Sequence, residues 1–169
     1  MEDRSETRWL SAEQRDAWIA FVAASTWLPD ALDTQLRRDA DLSHVEYRVL
    51  SWISMHPRRS RRMSEIAALA NASLSHLSRI VARLEKRGWV LRTPDPDDGR
   101  ATLASLTDAG WVKVVESAPG HVEEVQRLVF DNLTAAQVHQ LREICELVLH
   151  AARPDLCLPH HDDAAQDLE

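Results

Sequence analysis

The chain is short of glycine and cysteine, and it contains no long apolar run. Four glycines in 169 residues argue against an all-β fold, which needs many tight turns. Two cysteines give no disulfide framework and indicate a reducing compartment, so we expect a cytoplasmic protein. Because no apolar run approaches the roughly 18 residues that span a bilayer, we expect no association with a membrane.

Sequence motifs of catalysis and of metal binding are absent as well. No Gly-rich phosphate loop, nucleophile elbow or zinc-protease motif occurs. We therefore predict a protein that is not an enzyme, with no catalytic residue and no cofactor. His160, His161, Asp162 and Asp163 have metal-ligand chemistry, but their polar surroundings offer no fixed second shell, and we predict no metal site.

The net charge of −7 conceals a basic centre. Residues 58–100 hold ten Lys and Arg against five acidic residues, a net charge of +5, and the rest of the chain carries −12. The local field, rather than the total charge, governs affinity for phosphate groups. The basic segment therefore favours binding to nucleic acid.

One amphipathic stretch, residues 73–88, carries most of the functional signal. Its apolar residues recur at helical spacing, with Ser73 as N-cap and Gly88 at the position after the helix. The other face holds short hydrogen-bonding groups followed by cations: Ser75, His76, Ser78, Arg79, Arg83 and Lys86. This layout is typical of a helix whose first turns meet base edges and whose cations meet phosphates. It also fits a solvated amphipathic helix.

The segments on either side favour the first interpretation. A short helix over residues 64–70 and a turn at Asn71 complete a helix-turn-helix. After Gly88 the period changes to two on either side of a turn rich in Pro, Asp and Gly, which predicts a β-hairpin. A helix-turn-helix followed by such a hairpin is a winged helix.

A basic run, residues 58–62, precedes the helix-turn-helix. It is either a solubilising loop or a phosphate clamp at the N-terminus of the next helix. In the second case Arg61, Arg62 and Ser64, the predicted cap of that helix, would contact phosphates.

Long helices are predicted on both sides of this module. Capping boxes begin helices at Ser11, Ser43 and Thr134, and Thr107 caps a further one. We expect Pro29 to kink or break the first helix near Ser25, and the helix after Thr107 to be interrupted at residues 118–120. The second helix is expected to stop before His56 and Pro57.

The apolar stripes of the first and last helices, residues 18–36 and 138–149, are too large for one small core. They predict packing against other helices or a second subunit. Cys145 lies on the second stripe, which favours a buried core thiol.

Three groups of residues resemble motifs of MarR-type transcriptional regulators. The first is Leu42, Ser43, Glu46, Tyr47 and Leu50, and the second is the run of residues 83–90. The third is Asp98 and Arg100 followed by Leu106, Thr107 and Gly110. The similarity covers about residues 10–152, and the motifs keep the order and spacing of the family.

The resemblance implies a homodimer that binds a pseudo-palindromic double-stranded DNA operator, as a repressor. It places Arg100 in the minor groove, where Asp98 would orient the guanidinium through a bidentate pair. It also implies release by a small aromatic or weakly acidic ligand, in a pocket between the dimerisation helices and the winged module. The candidate walls are Trp18, Phe21, Trp27 and Trp52, although each is more typical of a core.

The predicted organisation is one mainly α (α+β) domain, residues 8–152. Within it, residues 41–106 form the winged helix, and residues 10–38 and 107–152 form dimerisation helices. Residues 153–169 are predicted to be an acidic, disordered tail. Two alternatives stay open: a winged-helix protein-interaction module that never touches DNA, and a regulator that senses oxidants, although neither Cys145 nor Cys157 has an evident activator.

Overall fold

The computed structural model describes residues 7–156, which are mainly helical. In this range six α-helices and three β-strands follow in the order α1 (Ala12–Ala40), α2 (His44–Ser54), β1 (Ser60–Arg62), α3 (Met63–Leu69), α4 (Leu74–Lys86), β2 (Val90–Pro94), β3 (Thr102–Leu106), α5 (Asp108–Leu128) and α6 (Ala135–Ala152). A 3-10 helix, Phe130–Asn132, joins α5 to α6. The predicted winged-helix class is confirmed. The tail prediction falls mostly outside the described residues, as do Cys157 and residues 160–163.

Most helix ends are fixed by local capping, as predicted. All three capping boxes form, with Ser11, Ser43 and Thr134 as caps. The hydroxyls of Ser73 and Thr107 accept the backbone N–H groups of His76 and Gly110, at 3.2 and 3.0 Å. After α4, Gly88 takes a left-handed φ of 77°, which a residue without a Cβ adopts at little cost.

Two predictions about helix ends and breaks are wrong, the interruption at residues 118–120 and the cap at Ser64. Of the kink or break expected near Ser25, the break does not occur. α1 and α5 run without a break through Pro29 and Pro119. A proline removes one backbone hydrogen bond, and long helical segments on both sides keep each helix intact. α3 begins at Met63 with no side-chain cap. β1 extends as far as Arg62, so Ser64 lies inside the first helical turn and cannot take the extended backbone of a cap.

The wing is a three-stranded antiparallel sheet in the order β1-β3-β2. β2 and β3 form the predicted hairpin, with Val90 opposite Leu106. β1 pairs with the other edge of β3, with Ser60 opposite Ser105 and their hydroxyls 2.7 Å apart. The expectation of a loop at residues 58–62 is therefore wrong, because three of these residues form a strand. The four arginines around Ser60 give no alternation of apolar and polar residues, so the sequence does not predict a strand here. The strand forms because it pairs with β3.

The core lies under the winged module. Residues of α2, α3, α4 and the sheet surround a centre to which α1 contributes Leu36 and Ala40. The first half of α1 is exposed, and α6 has no buried residue. The expectation that Cys145 is buried is wrong for the single chain, since its side chain is exposed on α6. No helix within residues 7–156 combines the length and the apolar composition needed to cross a bilayer.

Candidate nucleic-acid interface

The recognition helix α4 has the two faces that the sequence predicts. Leu77, Ile80, Val81 and Leu84 are buried in the core. Ser73 at the cap and four of the predicted contact residues, Ser75, His76, Arg79 and Lys86, are exposed. Arg79 and Lys86 form no ion pair with any residue of the described range. These two cations are therefore available to an external anion.

Ser78, predicted to face the major groove, is half-buried and also contacts the wing. Its hydroxyl accepts a hydrogen bond from Nη1 of Arg92 in β2, at 3.2 Å. The same guanidinium donates from Nε to Oε2 of Glu85 at 2.8 Å, and the Arg92 backbone N–H donates to Oε1 at 3.0 Å. The Arg92 hydrogen bonds lower the pKa of Glu85, which stays ionised. We name Ser78, Glu85 and Arg92 the wing clamp, and sequence reasoning missed its two charged members.

Arg83, predicted to meet phosphate, connects the recognition helix to α2. Its Nε donates to Oε1 of Glu46 at 3.0 Å. Glu46 is buried and accepts hydrogen bonds from the Ser43 backbone and hydroxyl, at 3.0 and 2.8 Å. Burial raises the pKa of Glu46, but the hydrogen bonds from Ser43 and Arg83 outweigh it and leave the pKa below its ordinary value. The second capping box thus also positions α4.

The wing turn differs from the expected pairing of Asp98 with Arg100. Oδ1 of Asp98 accepts the backbone N–H of Arg100 at 3.1 Å, and no ion pair forms between the two side chains. An Asp side chain reaches the N–H two residues ahead more readily than the end of a long, solvated guanidinium. Arg100 is exposed, and the described residues give it no acidic partner.

The acid that does pair with an arginine at the wing is Asp95. Its Oδ2 lies 2.6 Å from Nε of Arg62, and its Oδ1 accepts the N–H of Asp97 at 3.0 Å. These hydrogen bonds, with that of Asp97 the largest contribution, lower the pKa of the Asp95 carboxyl. Arg61 donates from Nε to the Trp52 carbonyl at 2.7 Å. Arg61 therefore ties β1 to α2, and Arg62 ties β1 to the turn after β2, so both arginines predicted to clamp phosphate have partners within the chain. Ser64 is exposed in the first turn of α3.

The structure does not gather the predicted pocket residues. Trp18 and Phe21 form a ring contact on the exposed part of α1, with centroids 6.0 Å apart, and Trp27 is exposed farther along. Trp52 lies half-buried on α2, and its indole nitrogen is buried without an acceptor. An open groove of about 530 Å³ lies instead on the surface of α1, α2 and α4, and none of these four residues lines it. Its lining is Thr26, Pro29, Asp30, Asp33, Arg37, Ser43, His44, Val45, Arg48 and Arg83.

Two histidines join the flanking helices α1 and α5 to the winged module beside this groove. The His44 backbone N–H donates to Oδ1 of Asp33 in α1, at 2.7 Å. The ring of His121 in α5 lies 4.4 Å from Tyr47 and 6.0 Å from His44, between centroids. Desolvation lowers the pKa of both histidines, and Arg48 adds to the effect at His44. No pattern in the sequence marks His121, because only the fold brings α5 to α2.

Comparisons with known proteins agree with this geometry. The MarR family model matches residues 42–102. The HTH-type transcriptional repressor IacR of Pseudomonas putida is 34% identical over 116 residues, which are 69% of this chain and 68% of that protein. Sco3205, a MarR family transcriptional regulator from Streptomyces coelicolor solved in complex with DNA, is 45% identical. It covers 89% of this chain and 98% of its own, with a TM-score of 0.82.

AbsC, a MarR family transcriptional regulator from Streptomyces coelicolor, also has a TM-score of 0.82. It is 28% identical and covers 88% of this chain and all (100%) of its own. Sequence and fold therefore agree over nearly the whole described range. The chain belongs to the MarR family of DNA-binding transcriptional regulators, and it is a regulator rather than an enzyme.

Proposed function

We propose that this protein is a homodimeric repressor that binds a pseudo-palindromic operator. α4 enters the major groove, and Arg100 enters the neighbouring minor groove. The observation that carries the proposal is the set of exposed cations that have no acidic partner within residues 7–156, Arg79 and Lys86 on α4 and Arg100 on the wing. The cations that do have partners, such as Arg83 and Arg92, hold these two elements in position.

Apolar surface on α1 and α6 supports the dimer. Trp18 and Trp27 of α1 are 56% and 70% exposed, and Leu147 of α6 is 72% exposed. Large apolar side chains exposed together on terminal helices mark an interaction surface. In a homodimer, the apolar faces of α1 and α6 in one copy pack against the same two helices of the other copy, so one interface covers both helices. The interface is expected to exceed the roughly 2,000 Å² at which obligate interfaces begin.

Sedimentation tests the assembly. The wild type is expected to be a dimer at micromolar concentration, and Leu147→Asp is expected to shift it toward monomer. Leu91→Asp is the matched control, because Leu91 is also exposed but lies on the wing strand β2. A folded wild-type monomer at that concentration would contradict the proposal.

DNA binding is tested by selecting duplexes from a random library and footprinting the winners. Two recognition helices related by a two-fold axis are expected to protect a pseudo-palindrome with half-site centres about 10 base pairs apart. Affinity should fall steeply with salt, because phosphate contacts release counterions. Protection of a single half-site, or of direct repeats, would contradict the two-fold arrangement. A reporter gene placed behind the selected site should fall in expression when the protein is present.

We further propose that a small aromatic acid relieves DNA binding from the open groove on α1, α2 and α4. Arg37, Arg48 and Arg83 line this groove together with Asp30 and Asp33, and Arg37 is paired with Asp33. Arg48 and Arg83 therefore supply the positive charge, while Pro29 and Val45 supply apolar contact. Arg83 also holds Glu46, so a carboxylate that competes for Arg83 would loosen the recognition helix. Benzoate is the first probe. It is expected to weaken wild-type binding to the selected duplex and to act less on Arg48→Ala, whereas benzoate without effect on affinity would contradict this part.

A further inference from the structure

Leu74, the first residue of the recognition helix α4, is exposed and is not part of the buried core. It follows the N-cap Ser73, and 56% of its surface is accessible. The buried stripe of α4 begins at Leu77 and contains every other leucine of the helix. Burial in the chain therefore does not explain a large apolar side chain at this position, and neither does capping, which Ser73 provides.

The surroundings of Leu74 are those of a base-reading surface. Ser75, His76 and Arg79 follow it on the first turns of α4, and all three are exposed. Ser78, one turn after Leu74 on the same side of the helix, is held by Arg92 of the wing strand β2. Leu74 thus lies at the N-terminal end of α4, on its wing-facing edge. The N-terminal residues of a recognition helix contact base edges in the major groove.

An apolar side chain at such a position has one specific partner in the major groove. Ser, His and Arg match the hydrogen-bonding groups of bases, which leucine cannot match. The thymine C5-methyl group is the apolar feature of the major groove, and it distinguishes thymine from the other bases. Burial of this methyl group against leucine removes two apolar surfaces from water at once.

We propose that Leu74 is a specificity-determining residue that contacts the 5-methyl group of one thymine in each half-site. The proposal rests on the proposed function, in which α4 enters the major groove. It adds a preference for thymine that no polar residue of α4 supplies. Because only the methyl group is read, uracil, which lacks that group, should be bound less tightly than thymine at the same position.

The test uses the highest-affinity duplex recovered by selection from a random library. Each thymine is replaced by uracil in turn, which deletes the methyl group and leaves base pairing unchanged. For the wild type, one replacement per half-site is expected to weaken binding about fourfold, the effect of exposing one methyl-sized group. Leu74→Ala is expected to bind the thymine and uracil duplexes equally well.

Leu91→Ala is the matched control, since Leu91 is also 56% exposed but lies on the wing strand. It is expected to keep the wild-type preference for thymine. If Leu74→Ala keeps that preference as well, or if the wild type has none, the inference is overturned while DNA binding by α4 stands. If no duplex is recovered by selection, the proposed function fails and this inference fails with it.

Discussion

The guanidinium of Arg92 in β2 holds the carboxylate of Glu85 in α4, with Nη2 and Oε2 2.6 Å apart. Both side chains are about one-third exposed or less, and the Arg92 backbone N–H also binds the carboxylate. Three hydrogen bonds connect the recognition helix to the wing, one at Ser78 in the second turn of α4 and two at Glu85 in its last turn. The wing clamp therefore holds α4 and the wing as one rigid unit. The position of α4 in the major groove would then also set where the wing meets the minor groove.

The clamp predicts a coupling between Arg92 and Arg100 in DNA binding. In the wild type, Arg100→Ala should cost the full minor-groove contact. In an Arg92→Ala background the side-chain hydrogen bonds to Glu85 and Ser78 are lost and the wing is held less firmly to α4, so the same substitution should cost less. A double-mutant cycle on the selected duplex measures the difference, which is about 0.5–3 kcal/mol for residues in one network.

Arg87 supplies the control for this cycle. It forms an ion pair with Asp41, which is 91% exposed, and it does not touch the wing strands β2 and β3 through a hydrogen bond within the described range. Arg87→Ala and Arg100→Ala are therefore expected to be additive. Additivity of Arg92→Ala and Arg100→Ala would show instead that the clamp does not position the wing.

Two glycines in the same helix should respond to alanine with opposite signs. A Cβ at Gly110 would lie 2.0 Å from the carbonyl oxygen of Trp89, so the N-terminus of α5 would have to move. We expect Gly110→Ala to destabilise the fold by about 1–3 kcal/mol, as overpacking does. A Cβ at Gly120 would meet only the Gln35 side chain, at 3.4 Å. Gly120→Ala should stabilise the helix by about 0.5–1 kcal/mol.

Urea unfolding of the two variants checks this pair of predictions. The close approach at Gly110 also gives a physical reason for a glycine three residues after Thr107 in the motif of Leu106, Thr107 and Gly110. Thr107 donates its hydroxyl to the Gly88 carbonyl and its backbone N–H to the Trp89 carbonyl, at 2.6 and 3.1 Å. Equal stability of Gly110→Ala and the wild type would contradict the close approach.

Features of the fold that depend on neighbouring residues were predictable from the sequence. The capping boxes at Ser11, Ser43 and Thr134 fixed where three helices begin, because their hydrogen bonds span three residues. The change of period after Gly88 predicted the hairpin for the same reason. The expected interruption at residues 118–120 was wrong and Pro29 does not break α1, since a local rule does not weigh the helical turns on either side.

Features of the site that depend on distant residues were not predictable. Arg62 and Asp95 are 33 residues apart in sequence, and Arg83 and Glu46 are 37 apart. A sequence without its fold shows each of these as a surface charge, so both arginines were predicted to be free for phosphate. The exposure of Arg79 and Arg100 was easier to predict, because an exposed side chain needs no partner within the chain. The predicted domain bounds and DNA contacts stay predictions.

His44 and His121 should make stability fall as the solution becomes acidic. Both have a pKa below the ordinary value of 6.5 in the folded chain, so both are held neutral. Above pH 6.5 these histidines are mainly neutral in both the folded and the unfolded chain, so they do not change the free energy of unfolding. Below this pH the unfolded chain takes up protons more readily, so the free energy of unfolding decreases as pH falls toward the lowered pKa values.

The experiment measures urea unfolding between pH 7.5 and 5.5, a window chosen to lie above the titration of most carboxyls, on the order of pH 4. Asp33, Tyr47 and Arg48 are the ionisable groups nearest the pair. His121→Phe keeps a ring against Tyr47 and removes one titrating group, so its stability should change less over this range. A variant with the full wild-type slope would rule out His121 as a source of the pH dependence.

Arg100 should separate DNA affinity from stability. Its side chain is exposed and has no internal partner in the described range, so Arg100→Ala should change stability by less than about 0.5 kcal/mol. It should still weaken operator binding by about 1–3 kcal/mol per half-site, most strongly where A·T pairs narrow the minor groove. The salt slope should fall by about one per half-site, since one phosphate-region charge is lost.

Arg79→Ala and Asp98→Ala complete the comparison. Arg79→Ala should cost affinity mainly on the selected duplex and flatten the preference at one base position, because a major-groove contact reads a base. Asp98→Ala removes the acceptor of the Arg100 backbone N–H and should weaken the wing contact while leaving the arginine in place. Titrating all three variants against selected and scrambled duplexes at two salt concentrations separates these effects. Wild-type affinity in a dimeric Arg100→Ala would mean that the wing does not enter the groove.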